Sequence, residues 1–196
     1  MRKFIFFVLL VIFSGLLPDT AENSAESYRD APMKLIQVRE AEERSAVCND
    51  GSPSAYYFRR GWGTGRHRWV IHLQGGGMCV NVEMCKERSA SKPKMMTSRG
   101  LPLQRVGSGI QSSSPRENPD FYSANHVYVH YCSSDLWSGD REATRESGGW
   151  HFRGARIVRA VIDDLINPAI TSSPNLADAT EVLFSGGSAG GVGVMV

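Results

Sequence analysis

The chain has 196 residues, 41% of them hydrophobic, and a net charge of +2 with acids and bases interspersed. Such a composition belongs to a globular protein and excludes a disordered segment. The near-neutral balance gives neither a nucleic acid nor an anionic membrane surface a footing.

Residues Met1–Ala21 read as a signal peptide. Arg2 and Lys3 form a positive start, and Phe4–Phe13 is an unbroken apolar run far short of the ~20 residues that span a bilayer. Cleavage is expected between Ser14 and Ala25, and nothing later in the chain is apolar enough for a membrane span. Removal of the peptide leaves roughly 175 residues, enough for one domain with its own core. Residues 22–47 are polar and charged apart from Met33–Val38, and read as a leader to a folded domain over 48–196.

Ala55–Phe58 and Arg68–Leu73 have strand composition, and the glycine-rich Gly61–Gly65 between them predicts a hairpin. Gly75–Gly77 then breaks the second strand. Lys86–Pro119 is long, polar and rich in Ser, Pro and Gly. It is expected to hold short helical pieces and to serve as a lid or pocket wall. His126–Tyr131 predicts another strand. Phe152–Ile166 carries Val158, Val161, Ile162 and Leu165 at the i, i+3, i+4, i+7 spacing of a helix face, and Pro168 follows its end. Glu181–Phe184 is a short apolar strand. The alternation of strand, helix and strand predicts an α/β protein with a parallel sheet covered by helices.

Four cysteines, Cys48, Cys79, Cys85 and Cys132, follow the signal peptide. An even number in an oxidising compartment points to two disulfides, with three connectivities open and Cys79–Cys85 closing a short loop. No C-x-x-C or paired Cys/His spacing suggests zinc, and no cofactor is expected.

Directly after the last strand stands Gly186-Gly-Ser-Ala-Gly190, a G-x-S-x-G match. Small residues around Ser188 allow the tight strand-to-helix turn that lifts a nucleophilic hydroxyl clear of the sheet. The strand ending at Leu73 runs into Gln74-Gly-Gly-Gly77, the place and composition of an oxyanion-hole loop. The amides of Gly76, Gly77 and Ala189 are candidates to converge on a developing alkoxide. Ser188 needs a base and an orienting carboxylate, which follow the nucleophile in chain order in this kind of fold. Only eight residues follow Ser188, and none is Asp or His. All five histidines precede it, and His72 and His130 lie inside strands, where they read as structural. The triad Asp and His are therefore absent from this chain and expected beyond Val196.

From Cys48 onward the chain resembles the pectin acetylesterase/Notum family of secreted serine carboxylesterases. The resemblance rests on Cys48-Asn-Asp-Gly-Ser-Pro53, Leu73–Cys79, Gly107-Ser-Gly-Ile110, Glu117-Asn-Pro119, Tyr131-Cys-Ser-Ser-Asp-Leu-Trp-Ser-Gly139, Phe152-Arg-Gly-Ala-Arg156 and Ser185–Gly191. It implies an α/β-hydrolase fold, here its N-terminal portion, with a mostly parallel sheet and helices on both faces. It also implies Ser188 as nucleophile, Gly76, Gly77 and Ala189 as oxyanion donors, and disulfides Cys48–Cys132 and Cys79–Cys85.

Two branches share these features. The Tyr131–Gly139 and Cys48–Pro53 stretches resemble Notum, which removes palmitoleate from Wnt proteins. Asn118-Pro-Asp-Phe-Tyr122 and Phe152–Arg156 resemble the plant polysaccharide deacetylases. Where Notum carries Gly-Gly-Trp-Tyr-Cys, this chain has Gly75-Gly-Gly-Met-Cys79, which replaces two aromatic rings by a glycine and the flexible Met78. The expected function is a secreted esterase, Notum-like and acting on an acylated secreted protein. The alternatives are a pectin-type O-acetylesterase acting on an acetylated polysaccharide and a truncated, non-catalytic secreted binding protein.

Overall fold

The computed structural model describes residues 31–170 and 172–196. The signal-peptide reading of Met1–Ala21 lies outside the described residues. Six strands form one sheet in the order β4–β1–β2–β5–β3–β6, with β1 Met33–Gln37, β2 Ala55–Arg59, β3 Arg68–Leu73, β4 Gln104–Arg105, β5 Asn125–Val129 and β6 Glu181–Gly186. Among the described residues three α-helices accompany it: α1 Val82–Ser91, α2 Gly154–Ile166 and α3 Ala189–Met195.

The sheet is mixed, which places the chain in the α/β class. Strands β5, β3 and β6 are parallel to one another, and β2, β1 and β4 continue the sheet in antiparallel fashion. The parallel half follows from the long connections between its strands, which leave room for a crossover.

Two sequence expectations need correction. The first is the hairpin over 55–73, because β5 is inserted between β2 and β3 and pairs with both. Strand composition and a glycine-rich turn are present, but the pairing partner comes from far along the chain. The second is the leader, since the stretch from Met33 onward lies inside the fold. Met33 and Ala46 are fully buried, and Val38 and Ala41 nearly so. Its charges serve the interior as well: Arg39 and Arg44 both reach Asp164, whose side chain is 2% exposed. Charge density there marks partners of a buried carboxylate and not a solvated tail.

Helix α2 begins two residues later than expected and ends at Ile166. Its most buried line is Ile157, Val161 and Leu165 with Ala160 and Asp164, while Val158 and Ile162 flank it. That stripe packs on Trp69, Ile71 and Leu73 of β3 and Val127 and Val129 of β5, forming the main core. Helix α1 starts at Asn81, whose side chain accepts from the Met84 N–H at 2.9 Å, a regular N-cap. It occupies the start of the long polar segment, which also contains 3-10 turns at Pro93–Met95 and Gly109–Gln111.

Candidate active site

The carboxyl ends of β3 and β6 lie side by side, with Leu73 in register with Gly186. Two turns leave the sheet there, and open α/β sheets bind ligands at this end of their strands.

The turn after β6 is the G-x-S-x-G segment. Ser188 has φ 52° and ψ −117°, a left-handed conformation that L side chains rarely adopt. It is exposed, it caps α3 without spending its side chain, and no described residue bonds its Oγ. The flanking glycines explain how the turn is reached. A Cβ on Gly190 would fall onto the carbonyl of Leu73, and one on Gly186 onto the carbonyl of Gly190. The helix start is therefore pressed against β3, and only a residue without a side chain fits.

The turn after β3, Gln74–Cys79, leans on this elbow. A Cβ on Gly75 would strike the Gly187 carbonyl and lie 3.2 Å from Ser188 Cβ. Gly77 has φ 73°. The loop is fastened by the segment after β5, Tyr131–Gly139. Tyr131 Oη donates to the Gly77 carbonyl and accepts from the Leu136 N–H, each at 2.8 Å. Trp137 Nε1–H donates to the Gln74 carbonyl at 3.1 Å. The Cys79 N–H donates to the Ser134 carbonyl at 3.1 Å. Burial pushes the Tyr131 phenol up to about 12, so it remains a hydrogen-bond donor at any physiological pH.

This bracing segment is itself held by Asp135. Its carboxylate accepts from Ser133 Oγ at 2.6 Å, Trp137 N–H at 3.0 Å and Gly154 N–H at 2.7 Å. Burial raises its carboxyl above the usual range, while those donors pull in the opposite direction. The segment needs such an anchor, because Ser134, Leu136 and Trp137 all have positive φ.

Both disulfides join the same region. Cys48–Cys132 ties the chain before β2 to the end of β5, and Cys79–Cys85 ties the exit of the glycine loop to α1. With all four cysteines paired, none is available as a metal ligand, and no group of three His, Cys, Asp or Glu among the described residues would hold a metal.

None of the histidines bonds Ser188. His72 Nδ1 meets Ser185 Oγ at 3.0 Å and its ring stacks on Tyr128. His130 sets its two ring nitrogens against Gln74 Oε1 and the Thr97 carbonyl, each at 3.0 Å. Burial lowers the pKa of both rings. Both rings are thus partnered within the fold. A partly open, largely apolar pocket of about 210 Å³ lies elsewhere, at the amino end of β3, among Ile36, Tyr56, Phe58, Trp69 and Leu165, with Arg39 and Asp164 also in its wall.

Sequence reasoning singled out both glycine turns and missed the roles of Tyr131, Asp135 and Trp137. They stand inside a recognised stretch, but nothing local signals that Tyr131 and Trp137 bond Gly77 and Gln74, 54 and 63 residues earlier, or that Asp135 bonds Gly154, 19 residues later.

A strand, a tight turn with an exposed serine at positive φ, a helix pressed on the neighbouring strand, and a second glycine turn beside them define an α/β-hydrolase-type protein. The chain belongs to the pectinacetylesterase family, whose profile matches residues 26–196. It is 41% identical over 152 residues to the human palmitoleoyl-protein carboxylesterase NOTUM, covering 78% of this chain and 29% of that protein. It is 39% identical over 155 residues to the NOTUM of Drosophila melanogaster, covering 78% of this chain and 22% of that protein. Pectin acetylesterase 7 of Arabidopsis thaliana is 37% identical over 163 residues, 83% of this chain and 39% of that protein. The chain thus spans well under half the length of these curated relatives.

Proposed function

We propose that this chain carries the nucleophile and the oxyanion loop of a secreted serine carboxylesterase, most similar in activity to the Notum-type protein deacylases. The single observation that carries this reading is the junction of the two turns. Ser188 stands exposed in a strained backbone position with Gly75 of the neighbouring loop packed against it.

The reaction is acyl transfer. A histidine base held by a carboxylate, neither of which the described residues bring to Ser188, takes the proton from Ser188 Oγ as the oxygen attacks the ester carbonyl. The resulting alkoxide accepts hydrogen bonds from the amides of Gly76, Gly77 and Ala189. Collapse breaks the acyl carbon–oxygen bond, and the leaving alcohol takes the proton from the histidine. Water then attacks the acyl-enzyme by the same route, releasing the acid and restoring Ser188.

The Notum-type substrate, a fatty-acylated secreted protein of the Wnt kind, is supported by the 41% identity to the human deacylase. The exposed Met78 at the exit of the loop supports it too, as a flexible apolar group suited to an acyl chain. The two disulfides support a secreted, extracellular protein. The second reading, a polysaccharide O-acetylesterase, is supported by the 37% identity to the plant enzyme and by the small Gly77 beside Met78.

The test is hydrolysis of p-nitrophenyl acetate and octanoate by the full-length protein beside Ser188→Ala. Octanoate turnover that disappears in the variant is the expected result, with a loss of at least ~10⁴-fold. Turnover of acetate alone selects the polysaccharide deacetylase. Equal turnover in the variant removes Ser188 from the reaction.

A further inference from the structure

Helix α1 carries a charged group that the mechanism above does not use. Arg88 is 8% exposed and lies on the inner side of the helix, one turn past Cys85. Its Nε–H donates to Ser134 Oγ at 2.8 Å, and its guanidinium carbon sits 5.9 Å from the centre of the Tyr131 ring. Nη2 is buried and has no hydrogen-bond partner among the described residues. No carboxylate among the described residues forms an ion pair with it, although most other buried or half-buried arginines in this chain have one or bond a backbone carbonyl.

An uncompensated buried guanidinium is costly, and a fold that keeps one places it where a positive charge has a use. Its position answers what that use is. A Cβ built on Gly76 would lie 3.5 Å from Arg88 Nη2 and 3.0 Å from the Tyr131 ring, and one on Gly77 would lie 3.8 Å from Nη1. The guanidinium therefore lies beside the two glycines of the loop, with Met95 Sδ, at 2.8 Å, nearer still to a Cβ on Gly76. The Cys79–Cys85 disulfide joins the last residue of the loop to the helix turn before Arg88, which fixes the two relative to each other.

We propose that Arg88 is a positioning residue of the oxyanion loop, a buried cation that supports Gly76 and Gly77 from the side and adds its positive charge to their amides. The inference rests on the esterase reading of Ser188. Substrate does not touch Arg88; the side chain acts through the loop. A fixed positive charge beside the loop favours an alkoxide over a neutral carbonyl, so its effect belongs to the transition state and not to substrate binding. Lysine retains the charge but has no planar fork to reach Ser134 while facing two glycines.

The experiment uses the full-length protein and three variants, Arg88→Met, Arg88→Lys and Ser134→Ala. Measured for each are kcat and KM on a p-nitrophenyl ester, affinity for an alkyl boronic acid that forms a tetrahedral anion on Ser188, and Tm. Arg88→Met is expected to lower kcat by about 30-fold with KM little changed, and to weaken the boronate by a similar factor. Arg88→Lys is expected to recover a substantial part of both losses. Ser134→Ala removes the brace and leaves the charge, so its kcat and boronate affinity are expected to stay within about threefold of the parent. Where Arg88→Met fails to fold, Arg88→Lys against Ser134→Ala carries the comparison. A kcat and boronate affinity unchanged in Arg88→Met would overturn the proposal. So would a loss in Ser134→Ala as large as in Arg88→Met, which would make the arginine a structural brace alone. Absence of Ser188-dependent turnover in the parent protein would remove the esterase reading itself and this inference with it.

Discussion

The two turns that meet at Ser188 are built on opposite principles. The elbow after β6 is shaped by its own residues: glycines at 186 and 190 permit contacts that any side chain would block, and Ser188 takes the strained conformation between them. No side chain from elsewhere among the described residues hydrogen-bonds to it. The loop after β3 is shaped from outside. Tyr131 and Trp137 hold its carbonyls, a disulfide holds its exit, and Arg88 lies beside its glycines. A turn of the first kind is written in five consecutive residues, whereas one of the second kind is written across more than sixty.

Substitution separates the two, and the largest effect is expected at the elbow. In Gly190→Ala the new methyl group would overlap the Leu73 carbonyl and approach the Gln74 carbonyl oxygen to 3.1 Å, both of them backbone atoms with little room to yield. Overpacking of this kind costs up to roughly 3 kcal/mol. Alanine would otherwise favour a helix by about 0.5–1 kcal/mol over glycine, so the sign of the change is informative. Chemical denaturation of the full-length protein should show the loss, together with turnover reduced by at least ~100-fold as Ser188 is displaced. A variant as stable as the parent would show that α3 is not pressed on β3.

The same contrast explains what was legible in the sequence. The G-x-S-x-G elbow and the glycine break after Leu73 were visible because their causes are local. The strand at 68–73 was placed correctly, and α2 nearly so, since periodicity reports which residues face a core. What stayed hidden was pairing at long range. β5 enters between β2 and β3 from some 60 residues downstream, so a local hairpin was the natural but incorrect inference. The segment around Arg39 and Arg44 looked like solvent-exposed leader because its partner, the buried Asp164, lies more than 100 residues away. Arg88 was hidden for the same reason, in a stretch whose composition is polar throughout.

Tyr131→Phe tests the loop with a smaller perturbation. The ring stays and only the hydroxyl goes, which leaves the Gly77 carbonyl and the Leu136 N–H without their shared partner. Loss of one such buried bridge costs about 1–2 kcal/mol of stability. If the hydroxyl holds the loop in its working shape, kcat should also fall by about tenfold while KM changes little. Equal kcat in parent and variant would mean that the disulfide and Trp137 suffice to hold the loop.

The smallest effect, and the most direct measure of how the elbow stores its shape, lies at Ser188 itself. Ser188→Ala and Ser188→Gly both remove the proposed nucleophile, so activity cannot distinguish them, but their backbones differ. At φ 52° and ψ −117° a residue with a Cβ carries strain of about 1–3 kcal/mol, and glycine carries none. Glycine gives back about 0.5–1 kcal/mol through the greater freedom of its unfolded chain. The balance leaves Ser188→Gly more stable than Ser188→Ala by about 1 kcal/mol, read as a shift in urea midpoint at unchanged slope. Equal stability of the two, or greater stability of the alanine variant, would show that the turn holds no strain at this residue. The elbow would then owe its shape to the flanking glycines alone, and its contrast with the externally fastened loop would rest on Gly186 and Gly190 without Ser188.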